Sequence, residues 1–109
     1  MRVLLDEQID VVLRHQFSDD FQAETVEYRD WKSLDNGALL EAAAAEYEAF
    51  VTNDQGIPHQ QSLYDTKLRF IVFDAPTNRI EDHEPLVPLA EEALRTMAPG
   101  DVRRVEAPA

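Results

Sequence analysis

The 109-residue chain predicts an α/β domain: a mostly parallel central sheet of four to five strands with helices on both faces. Three observations lead there. Short runs of β-branched, leucine and aromatic residues alternate with longer segments whose apolar residues recur at helical spacing. The first such run, "RVLLD", is a short β-branched and leucine stretch that fits a fully buried strand. The segments between them are long enough for the right-handed crossovers that consecutive parallel strands require.

In chain order, "RVLLD" (2–6) reads as a buried strand. "EQIDVVLRHQF" places Ile9, Val12, Leu13 and Phe17 on one helical face, with Asp10 and Arg14 opposite. "SDD" turns the chain into "FQAETVEY", a second strand centred on Ala23–Val26. "RDWKSLDNG" connects to an alanine-rich helix opening at Asp35 or Asn36, with Leu39, Leu40, Ala43 and Tyr47 on one stripe. "AFVTNDQG" (49–56) is a third strand that runs into a cluster of turn-forming residues. "IPHQQSLYDT" is a polar connector with room for a helical turn from Pro58. "KLRFIVFDA" (67–75) has the strongest strand character in the chain. A helix follows from Arg79 or Glu84 to Met97, starting in two steps because Pro85 and Pro88 fit only near a helix beginning. "APGD" stops it, and "VRRV" forms a last edge strand.

The length suits one domain spanning 1–109. The apolar runs are far shorter than a membrane span, and Asp6 and Glu7 interrupt the N-terminus where a signal peptide would stay apolar, so a cytoplasmic location is expected. With no cysteine, disulfide and thiolate chemistry are excluded. The net charge of −12 repels nucleic acid at long range and suits a cation or a basic partner. Two lysines against eight arginines is a skew also met in acidic, salt-adapted proteins. The acids are spread along the chain, as on a solvated surface.

In open parallel sheets, sites lie beyond the carboxyl ends of the strands, where the strand order reverses. Asp6 ends the first strand, Asp54 the third and Asp74 the fourth, so a parallel sheet brings all three to one edge. Converging carboxylates form a hard-cation site for Mg²⁺ or Mn²⁺, which can activate water and stabilise phosphodiester hydrolysis. Glu7 and Gln8 adjoin Asp6 and lie within reach of such a site. Each acid also has a purely structural use, because Asp caps helices and closes turns. The chain has no glycine-rich phosphate loop and no nucleophile elbow. His15, His59 and His83 lack metal-ligand spacing and read as surface residues.

"VLLDEQ", "LDNGALLEAA", "FVTND" and "FDAPTNRIEDHEPLVP" together resemble the PIN-like nuclease domains, and most closely the small group associated with bacterial VapC-type toxin–antitoxin pairs. The likeness covers most of the chain. It implies a PIN-like three-layer fold, a Mg²⁺- or Mn²⁺-dependent ribonuclease site, an RNA substrate, an antitoxin partner and a homodimer. By resemblance, Asp6 is the acid ending the first strand and Asp54 the acid of the Thr-x-Asp turn. Asn36 stands where many members have a metal-binding Asp, bringing a carbonyl oxygen without charge, and Asp35 is adjacent. Asp74 joins the metal set. On the same resemblance Gln8, Asn36, Gln60 and Gln61 are expected to form a modified polar pocket, with Arg14, Arg29, Arg69 and Arg79 available for phosphate contacts. The alternative is a catalytically weakened PIN-like module that binds or regulates without cleaving. A receiver-like domain would want a lysine ending a late strand, whereas Lys67 begins one.

Overall fold

The computed structural model describes residues 1–56 and 67–108. Its centre is a five-stranded sheet of β1 (Arg2–Leu5), β2 (Gln22–Thr25), β3 (Ala49–Thr52), β4 (Arg69–Phe73) and β5 (Val102–Val105). The order is β2-β1-β3-β4-β5 and every neighbouring pair is parallel. The chain is thus a three-layer α/β protein, with the polar connector 57–66 and its anticipated helical turn outside the described residues.

Alternation along the strands sorts the core into two layers, because successive side chains point to opposite faces. Val3, Leu5, Ala49, Val51, Ile71, Phe73 and Val105 face one side. They meet Leu13 of a 3₁₀ helix (Val11–Gln16), and Leu86, Val87, Ala90 and Leu94 from the carboxyl-terminal helical region. Leu4, Phe50 and Phe70 face the other side, against Leu39, Leu40 and Ala43 of α1 (Asn36–Glu46) and Tyr47, which caps its end. Phe50 and Phe70 meet edge-on across that layer, with ring centroids 6.1 Å apart.

The helix beginning in two steps is present in three pieces. These are α2 (Ile80–His83), a 3₁₀ turn (Glu84–Leu86) carrying Pro85, and α3 (Val87–Thr96) with Pro88 in its first turn. Proline lacks an N–H, and the first turn of a helix is where that donor is not needed.

The segment after β1 departs from expectation. Residues 7–10 are not helical, and only Val11–Gln16 winds, as a 3₁₀ helix capped by Asp10, whose Oδ1 accepts from the Val12 N–H at 2.9 Å. The consequence is that Val12, placed on the apolar face by an α-helical period, is exposed, while Ile9, Leu13 and Phe17 are buried. Because the winding begins only after Asp10, Ile9 and Val12 do not belong to one continuous helical face.

Candidate functional site

The strand order reverses between β1 and β3. From β1 the chain moves outward to β2, then returns across β1 to β3 and proceeds to β4 and β5 on the other side. In open parallel sheets such a reversal marks the carboxyl ends of the two central strands as the place where a ligand is received. Asp6 follows β1 there, and Asp54 stands two residues beyond β3.

Asp6 is fixed from three directions. Its N–H donates to the Val51 carbonyl at 2.9 Å, extending the β1–β3 ladder by one residue. Its Oδ1 accepts the Glu7 N–H at 2.8 Å, and its Oδ2 accepts the Thr52 hydroxyl at 2.6 Å. The residue is 5% exposed. Burial is the largest influence on its carboxyl, raising the pKa above the ordinary aspartate value. The two hydrogen bonds oppose that rise, while the negative charges of Glu7 and Asp54 add to it. A buried carboxylate beside a second carboxylate is an environment that a cation relieves.

Thr52 links the pair. Fully buried, it donates to Asp6 and accepts the Asp54 N–H at 3.0 Å through the same hydroxyl oxygen. Asp54 closes its own turn by accepting the Gly56 N–H on Oδ1 at 2.9 Å. Its Oδ2 accepts no hydrogen bond among the described residues. Gln55 pins the turn to the next strand, its amide Nε2 donating to the Phe73 carbonyl at 2.6 Å.

The remaining expected residues fall around this pair in different ways. Asp74 does reach the same edge, but its Oδ2 accepts from Arg104 Nη2 at 2.7 Å, an ion pair that ties β4 to β5. Asp35 is the N-cap of α1, its Oδ1 accepting the Ala38 N–H at 2.8 Å, and Asn36 is the first residue of the helix, half-buried. α1 leads from β2 to a parallel β3, so its beginning lies at the carboxyl edge. Glu7 and Gln8 are exposed beside Asp6. Arg79 is exposed just before α2, 3.8 Å from Glu81. Arg29 bonds Glu46 and the Tyr47 hydroxyl and stacks 4.2 Å over Trp31. Arg69 begins β4, at the opposite edge of the sheet. Gln60 and Gln61 lie outside the described residues.

Among the described residues no three His, Asp or Glu side chains gather as a cation cage. The Asp6 carboxylate and nearby Asp54, whose negative charge acts on it, offer hard oxygens. They fit a cation bound through two carboxylates and otherwise by water, the usual manner of Mg²⁺.

Thr52 and Gln55 are the site residues that sequence reasoning passed over. A threonine two residues before a turn aspartate is a recurring side-chain-to-backbone motif, so the Thr52–Asp54 contact had a local signal. The Gln55–Phe73 contact joins separate strands and had none. His83 requires correction: the expected surface histidine is completely buried, its ring centroid 5.1 Å from that of Phe73.

Fold and site together define a class: a doubly wound, all-parallel α/β protein with a carboxylate pair at its switch point. Compared with protein-family models, curated proteins and solved structures, the chain finds no significant match in any of the three. No helix among the described residues is long and apolar enough to cross a membrane.

Proposed function

We propose that the chain is a Mg²⁺- or Mn²⁺-dependent endoribonuclease of the PIN-like kind, the toxin of a toxin–antitoxin pair. The observation that carries this reading is the meeting of Asp6 and Asp54 at the strand switch point, bridged by Thr52. Asp6 and the open oxygen of Asp54 hold the cation. A divalent cation bound there supplies positive charge for the phosphate and acidity for a water. Thr52 keeps Asp6 oriented, and the Gln55 anchor keeps the Asp54 turn against β4. Asn36 adds a neutral oxygen at the helix start, and Asp74 joins only if it leaves Arg104. An antitoxin partner and a homodimer belong to the same reading.

A second reading, a PIN-like binding or regulatory module that does not cleave, is favoured by the engagement of Asp74 with Arg104 and of Asp35 in its helix cap. The net charge of −12 supports it further, since phosphodiester backbones are repelled.

Titration of Mn²⁺ and Mg²⁺ into the wild type, Asp6→Ala and Asp54→Ala, with cleavage of a mixed RNA pool followed in parallel, separates these readings. Cation-dependent cleavage lost in both variants supports the nuclease. Cation binding without cleavage supports the second reading. Absence of both at several salt concentrations overturns the metal-site assignment, and cleavage that survives both substitutions overturns the residue assignment.

A further inference from the structure

His83 ends α2 with no exposed surface, and neither ring nitrogen has a hydrogen-bond partner among the described residues. A neutral imidazole carries one donor and one acceptor, and leaving both unmet in a dry environment is costly. Buried polar groups almost always find partners, so this exception asks for a reason. The ring packs against Phe73, and the neighbouring Leu86 and Val87 belong to the same apolar layer. The Phe73 carbonyl is in turn the acceptor for Gln55, the residue next to Asp54. A continuous path of contacts therefore runs from the His83 ring through Phe73 and Gln55 to the candidate site.

We propose that His83 is a proton-operated latch: its neutral ring holds the Ile80–Leu86 segment on the end of β4, and protonation releases that segment and loosens the Gln55 anchor beside Asp54. The charged groups on the elements packed around it are few in effect. The 3₁₀ helix against α2 carries Arg14 and His15, β4 carries Arg69 with Asp74 just beyond, and the segment itself carries Arg79, Glu81, Asp82 and Glu84. Of these, the Asp82 carboxylate acts on the ring and favours its charged form, as the nearby Thr77 backbone does without meeting hydrogen-bond geometry at either ring nitrogen. Asp82 is itself held by the Thr77 hydroxyl. Burial outweighs both and keeps the imidazole pKa below the ordinary histidine value.

The direction of the pH effect follows. In the released state His83 takes up a proton at its ordinary pKa, whereas in the closed state it resists doing so. The closed state is therefore fully favoured above about pH 6.5 and loses stability as pH falls below it, until the lowered pKa of the closed state is reached. One proton uptake changes the closed-to-open ratio by at most about tenfold per pH unit. This inference does not rest on the nuclease reading.

The test is amide hydrogen exchange on the full chain between pH 8 and 5, corrected for intrinsic exchange, with an NMR titration of the assigned His83 ring. The expected result is a loss of protection at Leu86 and Val87, approaching tenfold per unit below pH 6.5, while Leu4, Phe50 and Phe70 stay protected. The Gly56 amide, bonded to Asp54, loses protection in parallel. His83→Phe abolishes the pH dependence. A ring that titrates at the ordinary histidine value with no change in protection overturns the latch, and that readout needs only the wild type. The same loss in His83→Phe as in wild type overturns it equally. An unchanged Gly56 amide overturns the coupling to Asp54.

Discussion

Replacing Thr52 by valine removes one hydroxyl and almost no volume. The hydroxyl makes two bonds in a fully buried place: it donates to the Asp6 carboxylate at 2.6 Å and accepts the Asp54 N–H at 3.0 Å. A hydrogen bond to a charged group is worth about 1.5–3 kcal/mol and a neutral one about 0.5–1.5. Thr52→Val is therefore expected to lower unfolding stability by about 2–4 kcal/mol at pH 7. Thr52→Ser keeps both bonds and loses one buried methyl, costing about 1 kcal/mol. The pH dependence gives a second handle. The Thr52 bond lowers the Asp6 pKa, so its loss raises that pKa further above the ordinary value. A raised carboxyl pKa contributes stability that is lost as pH rises through the folded-state value. The valine deficit should then be smallest at acid pH, where Asp6 is protonated, and grow as Asp6 ionises. Urea unfolding of the three proteins from pH 4 to 8 measures both effects. A Thr52→Val protein no less stable than Thr52→Ser would refute the view that this hydroxyl holds the site together.

Two further outcomes follow from the same structure. Because burial and neighbouring charge make ionised Asp6 unfavourable, Asp6→Asn in cation-free buffer should be more stable than wild type at pH 7, with the gain vanishing below about pH 3.8. A variant less stable than wild type throughout would show instead that the carboxylate's two hydrogen bonds outweigh its burial. Glu91 on α3 is 7% exposed and accepts both the Ser18 N–H at 3.0 Å and the Ser18 hydroxyl at 2.9 Å. Glu91→Ala should cost about 2–3 kcal/mol in urea unfolding, tempered because water reaches the exposed Ser18. A loss under about 0.5 kcal/mol would leave the Ser18 contact without energetic weight.

The strands were legible because their signal is short-range: "RVLL", "AFVT" and "RFIVF" each hold three or four consecutive apolar residues, as two-sided burial demands. The stepped start of the last helix was legible too, since Pro85 and Pro88 permit few alternatives. The segment after β1 was misjudged because the residues that are buried there, Ile9, Leu13 and Phe17, also satisfy an α-helical period. The carboxylate pair followed from strand ends alone, once the sheet was taken as parallel. What composition could not convey was partnership across the chain. Nothing near Asp74 names Arg104, nothing near Glu91 names Ser18, and a histidine two residues before Pro85 carries no mark of burial. Such contacts are decided by packing between segments, which local pattern does not encode.

The central position of β1 also has a kinetic side. β1 meets β2 by closing a modest loop: Arg2 and Glu24, which form an ion pair, are 22 residues apart. It meets β3 only by closing one about twice as long, since Asp6 and Thr52 are separated by 46 residues. Each doubling adds about 0.6 kcal/mol of closure entropy, and non-local pairing of this kind slows folding. The β1–β2 pair is then expected to form before β3 inserts on the other side of β1. Asp6 would wait, unaccompanied by Thr52 and Asp54, until that insertion. Assembly of the carboxylate pair thus becomes a late event in folding, and a refolding experiment that follows protection of the Asp6 and Asp54 amides against helix formation would see those amides lag.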